Sequence, residues 1–288
     1  MVLVSKKPLK KKNPPHWKVH ITYNSREHHR ITDPIIRQRP DAVYYMFFDD
    51  GKRLDINLTH KQDNIKYIKE KLPNCELHEI GVNYLDYYEL IANLAQIFSN
   101  EKKSHPDHEV IFKINLGTGS KMVAIANMDA HRLWENTQII YPYSDDYNPA
   151  AEAMHQGTIK VAKPPKFEFK HPKTHLIQSI QILYKLKQMP DKFGHIQDFV
   201  ELRELFHYVY EIYKIMKVKR NEEPRKENSS QYMQLSRSIV DKLEKNWGFI
   251  KVKKVGKHKH LYFTEKGLKM AQVFVNYDYG IDLAKIHR

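Results

Sequence analysis

A single cysteine, Cys75, in 288 residues rules out an intrachain disulfide and any zinc site built on several thiolates. No apolar run approaches the ~20 residues that cross a bilayer. Residues 1–12 are basic but lack the apolar segment of a signal peptide. A soluble, cytoplasmic protein without membrane association is expected. The chain has 17 histidines but no H-E-x-x-H or comparable ligand spacing. His258 and His260 stand among lysines that would repel a cation, so neither a metal nor a cofactor is expected.

Acidic charge is in deficit overall, with a formal net charge of +14, but the deficit is uneven. Residues 13–160 hold 17 Lys/Arg against 20 Asp/Glu. The basic excess lies in the tail (Lys6, Lys7, Lys10, Lys11, Lys12), in residues 161–173, and beyond residue 174. Such segregation suggests a C-terminal half that meets a polyanion and an N-terminal half with another task. The length suits two domains, each with its own core.

In chain order, residues 1–15 read as a disordered basic tail. Trp17 to Tyr23 has the alternation of a strand, Asn24 to Arg30 is a polar loop, and Asp33-Pro34 opens a short helix with Pro just inside its start. Ala42 to Phe48 is a strand covered on both faces. Lys61 to Leu72 is helical, Cys75 to Ile80 is a strand, and Tyr84 to Phe98 is an amphipathic helix. Val110 to Ile114 and Thr137 to Tyr141 are further strands, separated by a helix from Ser120 to about Trp134. Strands alternating with helices predict parallel βαβ units, hence a Rossmann-like α/β domain over 16–160. Residues 161–173, with Pro164, Pro165 and Pro172 amid lysines, read as a linker. Within 174–288, Thr174 caps a helix to Lys187, and His195 to about Lys217 is helical in one or two pieces. Arg220 to Ser229 is a charged loop, and Ser229-Ser230 caps a helix to Lys245. Phe249 to Val255 and Lys259 to Phe263 form a hairpin, and Thr264 opens a last helix.

Ligands on parallel sheets bind outside the carboxyl ends of the strands, where strand order reverses. Two loops there carry suggestive chemistry, Tyr23–Arg30 and Asn115–Lys121. The second, Ile114-Asn115-Leu116-Gly117-Thr118-Gly119-Ser120-Lys121-Met122, has glycines that let backbone approach a ligand, followed by a helix N-terminus that favours anions. It is neither a Walker A loop nor the G-x-G-x-x-G fingerprint. If both loops border one crevice, Arg26, Lys121 and the amides near Gly119 make a small anion site, with neutral hydrogen bonds from Asn115 and Thr118. An ordinary strand-to-helix turn with a solvated lysine would read the same.

In the C-terminal half, a capped helix, a Trp-Gly-Phe-Ile turn, a basic hairpin and a Thr-Glu-Lys-Gly helix start resemble the winged helix-turn-helix module. On a helical wheel, Tyr232, Leu235, Ser236, Ile239 and Leu243 share one face. Ser230, Gln234, Arg237, Ser238 and Asp241 share the other. Gln234 and Arg237 suit base edges, Ser230 with the neighbouring N-terminal amides suits a phosphate, and Ser238 shares their DNA-binding side. Lys251, Lys253, Lys254, Lys257 and Lys259 on the hairpin would grip a double-stranded DNA backbone and make binding salt-dependent. The alternative is a solubilising edge hairpin.

The strand–Asn-Leu-Gly-Thr-Gly-Ser-Lys-Met–helix string resembles the signature of CARF domains, the CRISPR-associated Rossmann folds, whose usual string is close to N-[LI]-T-G-G-T-K-x-M. Asn115, Leu116, Gly119 and Lys121 match, and Ser120 stands for the usual threonine. Gly117-Thr118 inverts the family's Thr-Gly order, and Met122 follows Lys121 directly. A CARF-like domain before a winged helix is similar to the Csa-type CRISPR transcriptional regulators and a related archaeal group. The resemblance implies a homodimer with a two-fold pocket for a cyclic oligoadenylate. Asn115, Thr118, Gly119, Ser120 and Lys121 would contact that nucleotide-type effector, with Asn24, Ser25 and Arg26 opposite.

Two enzymatic readings are weaker. Arg203 and His207 are spaced too closely for the HEPN ribonuclease signature, and Glu168-Phe169-Lys170, which echoes the E-x-K of restriction-type nucleases, lies in a proline-flanked linker without a convincing upstream Asp. A third makes the CARF-like domain a ring nuclease, with Thr118, Ser120 and Lys121 supporting cleavage of the bound ring. The reading preferred here is a ligand-responsive, dimeric DNA-binding regulator without catalytic residues.

Overall fold

The computed structural model describes residues 14–53, 55–164, 172–191, 193–216 and 224–287. Most of the expected basic tail and the Glu168–Lys170 triplet lie outside them. Two compact units result, Met1–Leu85 with Asn100–Lys166, and Asp86–Ser99 with Phe167–Arg288.

The first unit runs β1 (His16–Tyr23), α1 (His28–Gln38), β2 (Ala42–Phe48), α2 (Leu58–Lys71) and β3 (Glu76–Val82). Helix α3 (Tyr87–Ser104) straddles the division. Then come β4 (Glu109–Asn115), α4 (Lys121–Leu133) and β5 (Thr137–Tyr143), followed by the short strands β6 (Asp146–Tyr147), β7 (His155–Gln156) and β8 (Lys160–Ala162). The main sheet has the order β3-β2-β1-β4-β5-β8. Its first five strands are parallel, as expected. Strand β8 is antiparallel to β5, so the sheet is mixed, and the stretch read as a domain boundary supplies an edge strand. β1 is the central strand and is buried on both faces, Val19 to Tyr23 being almost completely inaccessible. Ile31, Ile35, Ile65 and Ile68 of α1 and α2 form a core cluster with Val43 and Tyr45 of β2.

Helix α1 starts at His28, earlier than expected, so Pro34 lies inside the helix and not at its first turn. A proline there has no N–H for the carbonyl four residues back. The amide Nδ2 of Asn115 donates to that Arg30 carbonyl at 2.9 Å. A side chain at the end of β4 thus satisfies the acceptor that Pro34 leaves open, and the helix continues.

The second unit contains α5 (Thr174–Gln188), β9 (Phe199–Glu201), α6 (Leu202–Phe206), α7 (Pro224–Leu235), β10 (Ile250–Val255), β11 (His258–Phe263) and α8 (Glu265–Phe274). This is a winged-helix domain. Thr174 is the first helical residue of α5, with Lys173 at the cap position, and not the cap itself. The span expected to be helical from His195 includes β9, which joins the hairpin in a sheet of order β10-β11-β9. Helix α7 begins at Pro224, so Ser229 and Ser230 sit within the helix and do not cap it. The helical path of α7 continues to Asn246 through π-type turns, closed by Trp247 N–H on the Lys242 carbonyl. Leu235, Ile239, Val240 and Leu243 are buried in one core with Leu183, Val200, Leu205, Leu261 and Phe274. Thr264 caps α8, its Oγ1 accepting from Gly267 N at 3.0 Å, as its sequence predicts.

Candidate ligand cleft and nucleic-acid interface

In the first unit a cleft of about 700 Å³ opens outside the carboxyl ends of β1 to β4. This is where strand order reverses between β1 and β4, the position expected for a ligand. Asn24 and Ser25 line it from the loop after β1, Phe48 from the end of β2, Arg53, Asp55, Ile56 and Asn57 from the chain after it, Tyr84 after β3, and Gly119 and Ser120 after β4.

The glycine-containing loop is shaped by its own contacts. Gly119 has φ +90, which suits glycine, and a Cβ there would meet Val123 Cγ1 at 3.0 Å. Ser120 caps α4, accepting from Val123 N at 3.2 Å while its hydroxyl donates to the Tyr84 carbonyl at 2.9 Å. Thr118 is buried and donates to the Tyr23 carbonyl at 2.7 Å. Asn115 is 0% exposed; besides bonding Arg30 it accepts from Gly117 N at 2.7 Å. Thr118 and Asn115, expected to contact ligand, therefore hold the loop in place from beneath. The inverted Gly-Thr order fits this arrangement, since it puts the threonine where it reaches β1.

Asn24 is also a structural residue as well as a lining one. Its Nδ2 donates to Asp55 Oδ2 at 2.8 Å and to the Asn57 carbonyl at 3.0 Å, and its Oδ1 accepts from Tyr45 OH at 2.7 Å. Asn64 Nδ2 extends the chain to Tyr45 OH at 2.9 Å. Asp55 also accepts from the backbone amides of Phe48 and Asn57. The carboxylate thereby fixes the turn that carries Arg53 and the 97% exposed Ile56. Burial pushes the phenols of Tyr45 and Tyr84 up, so both stay protonated donors.

Arg26 and Lys121 are exposed and do not line the cleft; Ser25, Gly119 and Ser120 do. The cation within the cleft is Arg53, which the sequence reading missed. It is held against Asp50 by Nε at 2.9 Å and NH2 at 2.7 Å. Backbone and side-chain hydrogen bonds from Arg53 hold the Asp50 carboxyl down at about 2. Its guanidinium lies 5.6 Å from the Phe48 ring centre, and Phe48 meets Tyr84 edge-on at 5.8 Å. The run Asp49-Asp50-Gly51-Lys52-Arg53 follows a buried strand directly, a signal that the loops after β2 and β3 deserved the same weight as those after β1 and β4.

In the second unit, Arg237 and Ser230 are exposed on α7, while Ser238 and Gln234 are half-buried. Gln234 Oε1 accepts from Tyr210 OH at 3.2 Å, which leaves its amide NH2 as the donor end. The hairpin lysines are all exposed but do not share a face. Strand register pairs Lys254 with Lys259 and Val252 with Leu261, on the side of the core; Lys251 pairs with Tyr262 and Lys253 with His260, on the other side. Lys259 Nζ reaches the half-buried Ser236 Oγ on the continuation of α7 at 3.3 Å, so Lys254 and Lys259 stand on the side of the sheet that faces this helix. Two like charges directly opposite repel one another, an arrangement a polyanion relieves. Arg203 and His207 are bound separately to Glu201 and Glu211, at 2.7 and 2.5 Å.

Among the described residues no group of three or more His, Cys, Asp or Glu could hold a metal ion, and no helix is long and apolar enough to cross a membrane. Residues 178–275 match the family model of the DUF6293 C-terminal winged helix domain. Residues 18–147 match a second model, HFX_2341_N, described as an N-terminal domain. No curated protein matches the chain. Among solved structures, Csm6 of Enterococcus italicus bound to cyclic hexa-2'-fluoro-hexa-dAMP is 13% identical over 44% of this chain, with a TM-score of 0.37. Can2 from Sulfobacillus thermosulfidooxidans in complex with cyclic tetra-adenylate is 15% identical over 87% of this chain and 77% of its own, with a TM-score of 0.33. Protein VC1899 from Vibrio cholerae is 12% identical over 89% of this chain, with a TM-score of 0.34. This chain spans 34% of the Csm6 chain and 64% of VC1899.

Proposed function

We propose that the protein is a ligand-responsive DNA-binding regulator, taking a nucleotide-type anion of the cyclic oligoadenylate class in the first unit and duplex DNA on the second. The observation that carries this is the composition of the cleft at the β1/β4 reversal. A helix N-terminus, a glycine in the left-handed region, one arginine and two aromatic rings meet there. That set suits phosphates and bases together. Binding fits better than ring cleavage, because the Thr118 and Ser120 hydroxyls are both already donating to backbone carbonyls. A homodimer placing two clefts about a two-fold axis would match the symmetry of a cyclic ligand.

The test is calorimetric titration of the protein with cyclic tetra- and hexa-adenylate, followed by mass spectrometry of the mixture. Uptake of an intact ring, weakened roughly tenfold in Arg53→Ala by loss of charged hydrogen bonds, is expected. Accumulation of linear product, lost in Lys121→Ala, would assign the protein to the ring nucleases instead.

A further inference from the structure

The register of the wing divides its basic residues between two faces, and only one of them looks toward α7. On the other, β9 contributes Phe199 opposite Tyr262, and Glu201 opposite His260. β10 adds Lys251 opposite Tyr262 and Lys253 opposite His260. Phe199 and His260 lie face to face, their ring centres 3.9 Å apart and their planes 3° from parallel. Tyr262 stands beside Phe199 at 5.7 Å, and Lys253 Nζ hovers 4.9 Å from the Tyr262 ring. The three rings are partly exposed and both lysines are exposed. Leu261 and Val200, which alternate with these residues, are buried in the core beneath.

A solubilising edge needs the lysines but not the rings. A duplex-gripping wing needs lysines on the side of α7, where Lys254 and Lys259 already stand. Tyr262 beside the Phe199–His260 stack, with cations at the margin, matches what unpaired bases require: an aromatic surface to continue the stacking and positive charge to follow the phosphates. We infer that the outer face of the wing sheet, built on Phe199, His260 and Tyr262 with Lys251 and Lys253, binds single-stranded DNA. A protein partner would find little apolar area here, and the charge selects a polyanion. DNA is the source because both faces belong to one hairpin. A strand freed from the duplex held by Lys254 and Lys259 has only the thickness of a sheet to cross.

The experiment measures fluorescence anisotropy of a labelled twelve-residue oligothymidylate and of a duplex, each with the full-length protein. Phe199→Leu with Tyr262→Leu keeps apolar bulk but removes the π-faces, and should weaken oligothymidylate binding roughly tenfold with duplex affinity within about twofold of the parent. Lys251→Glu with Lys253→Glu, both at the surface, should weaken it at least as much, and thermal melting checks that each variant is folded. Lys254→Ala with Lys259→Ala should do the reverse. Unchanged oligothymidylate affinity in both outer-face pairs, parallel loss of single strand and duplex, or tighter binding of an oligouridylate than of the oligothymidylate would each overturn the inference. None of these outcomes involves the cleft of the first unit, so the proposed sensing role stands or falls separately.

Discussion

Asn115 joins three parts of the first unit through one side chain: the open carbonyl of Arg30, the turn amide of Gly117, and the end of β4. Asn115→Ala should cost about 2–3 kcal/mol, since it strands a buried acceptor and a buried donor. Adding Pro34→Ala restores the helix's own N–H at Arg30. The double variant should then lose about 1 kcal/mol less than the sum of the singles, as a denaturant-titration cycle will show. A coupling energy near zero would break the link between the proline and the asparagine. His20 is wholly buried, and burial, aided by the Lys113 charge, lowers its pKa to about 3 although Gln38 opposes the shift. The folded state therefore stays neutral where the unfolded chain, titrating near 6.5, takes up a proton. Stability should fall by ~1.4 kcal/mol per pH unit below about pH 6 and level off near pH 3. In His20→Leu that slope should be reduced by about one proton's worth. Both effects are invisible in sequence, because each depends on which residue, dozens of positions away, shares the buried space.

At the level of elements, periodicity and caps carried far. The five parallel strands, the Thr264 cap and the wing hairpin follow directly from apolar runs and local hydrogen-bonding groups. Misreadings arose where a tertiary contact replaced a local rule. Pro34 read as a helix start because its missing N–H is normally tolerated only there. Residues Phe199–Glu201 are too few to show strand alternation and were absorbed into a helical pattern, although their pairing with His260 to Tyr262 completes the wing sheet. Gly267 illustrates an element contact that can be stated numerically. A Cβ at 267 would lie 1.8 Å from the Phe249 carbonyl oxygen, so α8 crosses the strand entry with no room for a side chain. Gly267→Ala should destabilise the winged-helix unit by ~3 kcal/mol in thermal melts. The wing itself is tested by salt. Lys254→Ala with Lys259→Ala should flatten the plot of log binding constant against log salt by about 1.8, two phosphates at ~0.9 each.

For the whole molecule, charge alone marked a near-neutral half followed by a basic one, and the two units have a Rossmann-like sheet and a winged helix. The cleft was legible as a position, outside the β1 and β4 carboxyl ends, but not as a full list of residues. Phe48 ends β2, and Arg53 and Tyr84 come from turns after β2 and β3, whose sequences carry no motif and acquire meaning only from strand order. If the ligand regulates DNA binding, linkage makes the effect reciprocal. The factor by which a cyclic oligoadenylate changes duplex affinity must equal the factor by which saturating duplex changes oligoadenylate affinity. Titrations run both ways should agree, and a shift in only one direction would exclude thermodynamic coupling. The strand order also bears on synthesis. β1 is paired on one side by the next strand made, but on the other by β4, which leaves the ribosome about ninety residues later. At about 5–20 residues per second, the central strand waits roughly 5–20 s with one edge open. The open edge of β1 is therefore the place to look when the nascent chain aggregates or calls on chaperones.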